Sequence, residues 1–143
     1  MMEYNEDNLN LVLSAINQNL TIDLLPKNMR HRNAFGGSNN SYGHCHTVSG
    51  CIYKFFGPKN VHMYRGLDDE GLYHWWVVDK SGKIIDPTHE QYTMLGKVPP
   101  YDKAEKQGML GFDYKKRVMK LYSRALDTIS SAPGAGQLCK KDY

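Results

Sequence analysis

Cysteine is scarce in this sequence, and so are long apolar runs and charge of one sign. Three cysteines occur among 143 residues, an odd number at uneven spacing, which excludes the paired framework of a small disulfide-rich secreted domain. No apolar run approaches the ~18 residues that a membrane-spanning helix needs. No charged segment followed by an apolar one opens the chain as a secretion signal would. We therefore expect a soluble, cytoplasmic protein without a membrane partner.

The net charge is small, but the basic residues are unevenly distributed. A formal charge of +3 does not by itself indicate a nucleic-acid-binding protein. Five basic residues lie close together late in the chain: Lys115, Lys116, Arg117, Lys120 and Arg124. Such a face is usually solvated. Binding of a nucleotide by this face is the alternative that the sequence leaves open.

The composition is that of an ordinary globular domain. Hydrophobic residues make up 41% of the chain and charged residues 23%, which is enough for one core at this length. We predict a single, monomeric domain over residues 1–131. Residues 132–143, which include two Gly, two Ala and two Lys, are predicted to form an exposed tail.

Periodic apolar residues predict three helices and three strands. The first helix covers residues 7–20 with Asp7 as its N-cap, the second begins at Cys45 and stops at Gly57 and Pro58, and the last carries a stripe from Val118 to Ile129. Strands are predicted over 60–65, 72–79 and 83–86. The fold class is α+β, with helices packed on one face of a small antiparallel sheet.

The predicted start of the second helix makes Cys45 a candidate nucleophile. A thiol becomes nucleophilic when a helix N-terminus and a nearby imidazole favour its anion. His44 and His46 flank Cys45, but adjacent residues point in different directions, so neither is automatically within reach of the thiol. We expect these two histidines to contact the substrate instead.

His74 is a better candidate than His44 or His46 for the imidazole that acts with Cys45. His74 lies in an apolar strand, and alternation places Trp76 on the same face, where its ring would wall the substrate cleft. A two-residue turn would pair Asp86 with Val77, on the opposite face. A three-residue turn ending in a left-handed Gly82 pairs Asp86 with Trp76 instead, which brings the carboxylate diagonally beside His74.

The sequence resembles the transglutaminase-like superfamily of papain-like thiol enzymes. The family pattern is Gly-x-Cys at a helix start, His-x-Trp on a strand and Asp-Pro-Thr on the next; Gly43-His44-Cys45, His74-Trp75-Trp76 and Asp86-Pro87-Thr88 correspond to it. The same segment is similar to small phage-encoded proteins that carry these three elements. If the chain is phage-encoded, the expected location is the host cytoplasm.

The resemblance implies a papain-like core and a Cys-His-Asp triad. Cys45 would be the nucleophile, His74 the general base and then acid, and Asp86 the group that orients the imidazole. The resemblance does not single out an oxyanion-hole side chain. The backbone N–H of Cys45 would give one donor, and a second is expected from the preceding loop, at Asn39, Asn40 or Tyr42.

A metal site is the main chemical alternative. Imidazole and thiolate ligands suited to zinc are present at His44, Cys45 and His46, with His62 or His89 as further candidates. Consecutive residues rarely ligate one ion, and the spacings typical of zinc sites do not occur. We therefore expect no metal and no cofactor.

The sequence thus predicts a thiol hydrolase or acyl transferase that acts on an amide or isopeptide bond. Its substrate would be a peptide, a protein or a small molecule. Two other hypotheses stay open: a phage counter-defence enzyme that degrades a nucleotide or cyclic-nucleotide signal, and a non-catalytic binding protein on the same scaffold.

Overall fold

The structure is a computed structural model that describes residues 2–25, 44–108 and 112–131. The helices within this part of the chain are α1 (Glu6–Gln18), α2 (Cys45–Phe56), the single-turn α3 (Glu90–Thr93) and α4 (Phe112–Ser131). The strands are β1 (Val61–Leu67), β2 (Tyr73–Asp79), β3 (Ile84–Ile85) and β4 (Glu105–Gln107). Two single-turn 3₁₀ helices cover Ile22–Leu24 and Tyr101–Lys103.

The described strands form one antiparallel sheet in the order β3-β2-β1-β4. Helices and sheet together confirm the α+β class. Strand β4 was not predicted, because its sequence of Glu, Lys and Gln has neither the apolar alternation nor the β-branched residues that mark a strand. It pairs with β1 from Met63 to Arg65.

The turn between β2 and β3 has the predicted three-residue form. Val77 pairs with Ile85 and Val78 with Ile84, so the same register places Trp76 opposite Asp86. Gly82 has a φ of 90°, a conformation that glycine adopts without steric cost. The register prediction is therefore confirmed, and Asp86 lies on the His74 face of the sheet.

Helix α2 lies at the centre of the packed layers. Ten of its twelve residues are buried, because one side packs on β1 and β2 and another packs on α4. Gly50 is the point of closest approach: a Cβ there would lie 2.6 Å from Cγ2 of Val118. The main core joins α1, α2, α4 and the sheet through residues such as Ile16, Ile52 and Leu121.

Three sequence predictions change or fall outside the described residues. The N-cap of α1 is Asn5 and not Asp7, since the Asn5 side chain accepts a hydrogen bond of 2.8 Å from the N–H of Asn8. The helix ends at Gln18, two residues early. The tail over 132–143 and the loop preceding Cys45, with Asn39, Asn40 and Tyr42, lie outside the described part of the chain.

Candidate active site

The connection between α2 and β1 determines where Cys45 lies. The helix ends at Phe56 and β1 begins at Val61, so the C-terminus of the helix adjoins the start of the strand. A twelve-residue helix is about 18 Å long, and a seven-residue strand about 23 Å. The first turn of α2, with Cys45 as its first residue, therefore lies towards the end of the sheet where β1 finishes and β2 begins with Tyr73 and His74.

Cys45 interacts with two successive residues of β2. It forms a buried cluster with Met63 and Trp75, and its thiol lies close enough to His74 to help raise the pKa of that imidazole. Successive strand residues point to opposite faces, so the thiol lies where both faces can be reached.

The imidazole of His74 is bonded to the carboxylate of Asp86. Nε2 of His74 lies 2.6 Å from Oδ2 of Asp86, and both side chains are buried. The carboxylate is held by two further donors: the Tyr101 hydroxyl at 2.7 Å from Oδ2 and the Thr88 hydroxyl at 3.1 Å from Oδ1. Asp86 therefore has a fixed orientation from which to hold Nε2.

His74 is a stronger base than an ordinary histidine. Burial lowers its pKa, but hydrogen bonds to Asp86 and Cys45 and the negative charge of both partners outweigh this and raise the pKa to about 9. The imidazole consequently carries two protons at neutral pH. A doubly protonated ring is ready to donate a proton to a leaving group.

Gln91 was not predicted, yet it contacts the same ring. Its Nε2 lies 2.7 Å from Nδ1 of His74, the nitrogen that Asp86 leaves available. Because each ring nitrogen has one bonding direction in the plane, Gln91 occupies the direction of Nδ1 as Asp86 occupies that of Nε2. A glutamine in the four-residue helix α3 carries no sequence signal of such a contact.

Aromatic rings enclose the His74–Asp86 pair. Trp76 stacks on His74 with 5.8 Å between ring centroids, and Tyr92 meets the ring edge-on at 4.7 Å. Trp76 also packs edge-on against Tyr101 at 5.1 Å. The Trp76 side chain is only 1% exposed, so it supports His74 from within the protein; its predicted role as a cleft wall stays a prediction.

His44 and His46 are buried, at 1% and 5% exposure. His46 packs edge-on against Trp75 with 4.3 Å between ring centroids. Burial lowers the pKa of both histidines to about 4, and the charge of Arg117 acts in the same direction on His46. Both are therefore neutral at pH 7. The structure places them in the interior beside Cys45, and their contact with substrate stays a prediction.

Two of the five late basic residues are engaged with an acidic partner. Arg124 contacts Asp23 at 2.7 Å and Lys120 contacts it at 3.6 Å. These ion pairs join α4 to the Ile22–Leu24 turn and lower the pKa of Asp23, chiefly through the Arg124 hydrogen bond. The basic face of α4, for which nucleotide binding was the alternative to simple solvation, is thus partly neutralised within the protein itself.

The described residues show neither a metal-binding cluster nor a membrane-spanning helix. No group of three or more His, Cys, Asp or Glu side chains among them is placed to hold a metal ion. None of their helices combines the length and the apolar character needed to cross a bilayer.

Comparison of the chain with protein-family models, with curated proteins and with solved structures found no match. The grounds for a function are therefore the positions of Cys45, His74 and Asp86. A thiol at the first turn of a helix, a raised imidazole pKa and a fixed carboxylate together support nucleophilic attack on a carbonyl group.

Proposed function

We propose that the protein is a thiol hydrolase or acyl transferase that acts on an amide or isopeptide bond, on a papain-like or transglutaminase-like core. The observation that supports the proposal is the buried His74, bonded at 2.6 Å to Asp86 through Nε2 and close enough to the Cys45 thiol for that thiol to help raise its pKa. This is the order of groups that thiol acyl transfer requires.

In the proposed reaction the Cys45 thiolate attacks the carbonyl carbon of the scissile bond. The backbone N–H of Cys45 faces the developing oxyanion, because first-turn N–H groups have no partner within their own helix. When the tetrahedral intermediate collapses, the C–N bond breaks and the His74 imidazolium gives its proton to the leaving nitrogen. A free amine and a thioester on Cys45 result.

The second half of the proposed reaction regenerates the thiol. Neutral His74 takes a proton from water, or from an acceptor amine, which attacks the thioester carbonyl. The C–S bond breaks and a carboxylic acid or a new amide leaves. Asp86 holds Nε2 of His74 throughout, so Nδ1 is the nitrogen that exchanges the proton with the thiol and the leaving group.

The experiment that tests the proposal replaces the nucleophile. Cys45→Ala is expected to abolish turnover of a panel of amide, isopeptide and ester substrates without changing the circular dichroism spectrum. Cys51, buried in the core on the same helix, supplies the matched control: Cys51→Ala is expected to lose stability but keep its turnover. Full activity of Cys45→Ala would refute the proposal.

The two other hypotheses predict different results in the same assays. A nucleotide-degrading enzyme would convert members of a nucleotide and cyclic-nucleotide panel and leave the amide panel intact. A binding protein would convert neither panel. The ion pairs of Arg124 and Lys120 with Asp23 reduce the positive charge that α4 could offer to a nucleotide.

A further inference from the structure

Arg65 lies on the α2 face of the sheet, at the end where α2 begins. Val61 and Met63 are buried on that face of β1, and strand alternation places Arg65 on it as well. Arg65 is two residues beyond Met63, which clusters with Cys45, so its Cα lies about 7 Å further along the strand. Its cross-strand partner is Trp75.

The guanidinium group of Arg65 is held by aromatic rings instead of a carboxylate. Its Cζ lies 4.0 Å from the ring centroid of Tyr73 and 5.7 Å from that of Trp75. The buried Nε has no hydrogen-bond partner, and the ion pairs among the described residues do not include Arg65. Glu105 lies opposite Arg65 in the β1–β4 register, but it is exposed and unpaired with it.

An unpaired guanidinium in this position has a specific use. The guanidinium is not neutralised by a carboxylate of the described residues, so an oxyanion that binds its terminal nitrogens would form charge-assisted hydrogen bonds. Stacking on two rings fixes the plane of the guanidinium, which suits it to bidentate binding of a carboxylate or a phosphate. Trp75 links this group to Cys45, since Trp75 belongs to the Cys45 cluster and its ring lies 5.7 Å from the Arg65 guanidinium.

We propose that Arg65 forms an anion-binding subsite beside Cys45, so that the preferred substrate carries a carboxylate or a phosphate within one residue of the scissile bond. This inference rests on the proposed function in one respect: only an enzyme that uses Cys45 would have a substrate with a scissile bond there. The subsite itself is a property of Arg65, Tyr73 and Trp75, and it selects anionic over neutral ligands whichever bond is cleaved.

The test uses thiol-alkylating reagents that differ only in charge. N-iodoacetyl-β-alanine carries a carboxylate, N-iodoacetyl-O-phosphoethanolamine carries a phosphate, and N-iodoacetyl-β-alanine amide is neutral. Alkylation of Cys45 by each reagent is followed by mass spectrometry, at low and high salt. We expect at least one anionic reagent to react about tenfold faster than the neutral one, as a charge-assisted contact would give, and high salt to reduce the ratio.

Three variants test whether the faster reaction of the anionic reagents depends on Arg65. Arg65→Gln is expected to lose the charge preference while keeping the rate of the neutral reagent, and Arg65→Lys to keep part of it. Lys83→Gln removes an exposed charge at the far end of the β2–β3 hairpin and is expected to react like the wild type. The anionic reagent with the higher ratio identifies the oxyanion as carboxylate or phosphate.

The outcome separates this inference from the proposed function. An unchanged charge preference in Arg65→Gln, or none in the wild type, would overturn the subsite. Rapid, charge-selective alkylation of Cys45 without turnover of any amide would leave the subsite standing and reject the hydrolase. Thermal melting of each variant excludes loss of folding as the cause of a lower rate.

Discussion

The side-chain amide of Gln91 lies 2.7 Å from Nδ1 of His74, the nitrogen through which the proposed reaction moves its proton. Neutral His74 accepts a hydrogen bond there from the Gln91 NH₂ group. Protonated His74 carries a proton on Nδ1, which needs a hydrogen-bond acceptor. Either the Gln91 amide turns its oxygen to the ring, or it moves aside and the thiolate accepts this bond. The amide is therefore suited to hold the ring in place in both protonation states.

Substitution of Gln91 should show whether this residue positions the His74 ring or only stabilises the fold. Gln91→Glu places a carboxylate beside Nδ1 and is expected to raise the His74 pKa above its value of about 9, because a negative charge favours the imidazolium. Titration of the His74 ring by ¹⁵N nuclear magnetic resonance measures this directly. The His74 pKa in Gln91→Ala should be lower than in Gln91→Glu. Gln91→Ala should also reduce kcat with little effect on KM. If His74 titrates identically in the wild type, Gln91→Glu and Gln91→Ala, Gln91 does not position the His74 ring.

The pH dependence of stability should show a maximum near pH 6.5. The folded-state pKa of His44 and His46 is lowered to about 4, so the unfolded chain binds more protons than the folded one below pH 6.5, and stability falls as pH drops towards 4. The pKa of His74 is raised to about 9, so its contribution is complete below pH 6.5 and is lost as pH rises through 9.

Urea unfolding at pH 5, 6.5 and 8.5 checks this maximum. His74→Gln is the matched variant: it should remove the decline in unfolding free energy between pH 6.5 and 9 and keep the decline on the acid side. A stability that rises steadily from pH 6.5 to 9 in the wild type would show that the His74 pKa is not raised.

The carboxylate of Asp86 should control the alkaline limit of activity. Asp86→Asn keeps the shape of the side chain but removes the charge that helps to raise the pKa of His74. We expect kcat to fall about 100-fold or more, and the alkaline limb of the kcat profile to move below pH 9. Tyr101→Phe, which removes one donor to the same carboxylate, should give a smaller loss of about tenfold. Equal losses in the two variants would argue against a specific role for the charge.

Gly66 is expected to be intolerant of any side chain. A Cβ at this position would collide with the carbonyl oxygen of Pro100 and lie 3.1 Å from Cη2 of Trp76. Gly66→Ala should therefore cost about 1–3 kcal/mol of unfolding free energy. It should also lower kcat, because Tyr101 follows Pro100 and holds Asp86. Gly108, where an added Cβ meets nothing, gives the control: Gly108→Ala should change neither quantity.

The sequence was informative about the site wherever one local rule determined the geometry. The glycine at position 82 selected the three-residue turn, and that turn alone brought Asp86 to the face of His74. The apolar periodicity ending at Gly57 likewise placed Cys45 at a helix start. Both inferences depend on short-range stereochemistry, which a single sequence records well.

The contacts that hold the pair in place could not be predicted in the same way. Gln91 and Tyr101 reach His74 and Asp86 from two single-turn helices between β3 and β4, and the backbone of Pro100, beside Tyr101, lies close to Gly66. No periodicity marks such an approach. Strand β4 was missed for a related reason: its three polar residues pair with β1 through backbone hydrogen bonds, to which side-chain patterns contribute little.

The contact between Gly50 and Val118 links the core to the chemistry. Gly50 is five residues from Cys45, about 7.5 Å along the same helix, and the α2 backbone rests there directly on α4. A bulkier residue at position 50 would press on Val118 of α4, and a shift of α2 that relieved this contact would move the thiol relative to His74 on β2. Misplacement of reacting groups by about 1 Å is enough to slow catalysis greatly. The spacing between α2 and α4 at Gly50 therefore contributes to the distance between the Cys45 thiol and the His74 imidazole.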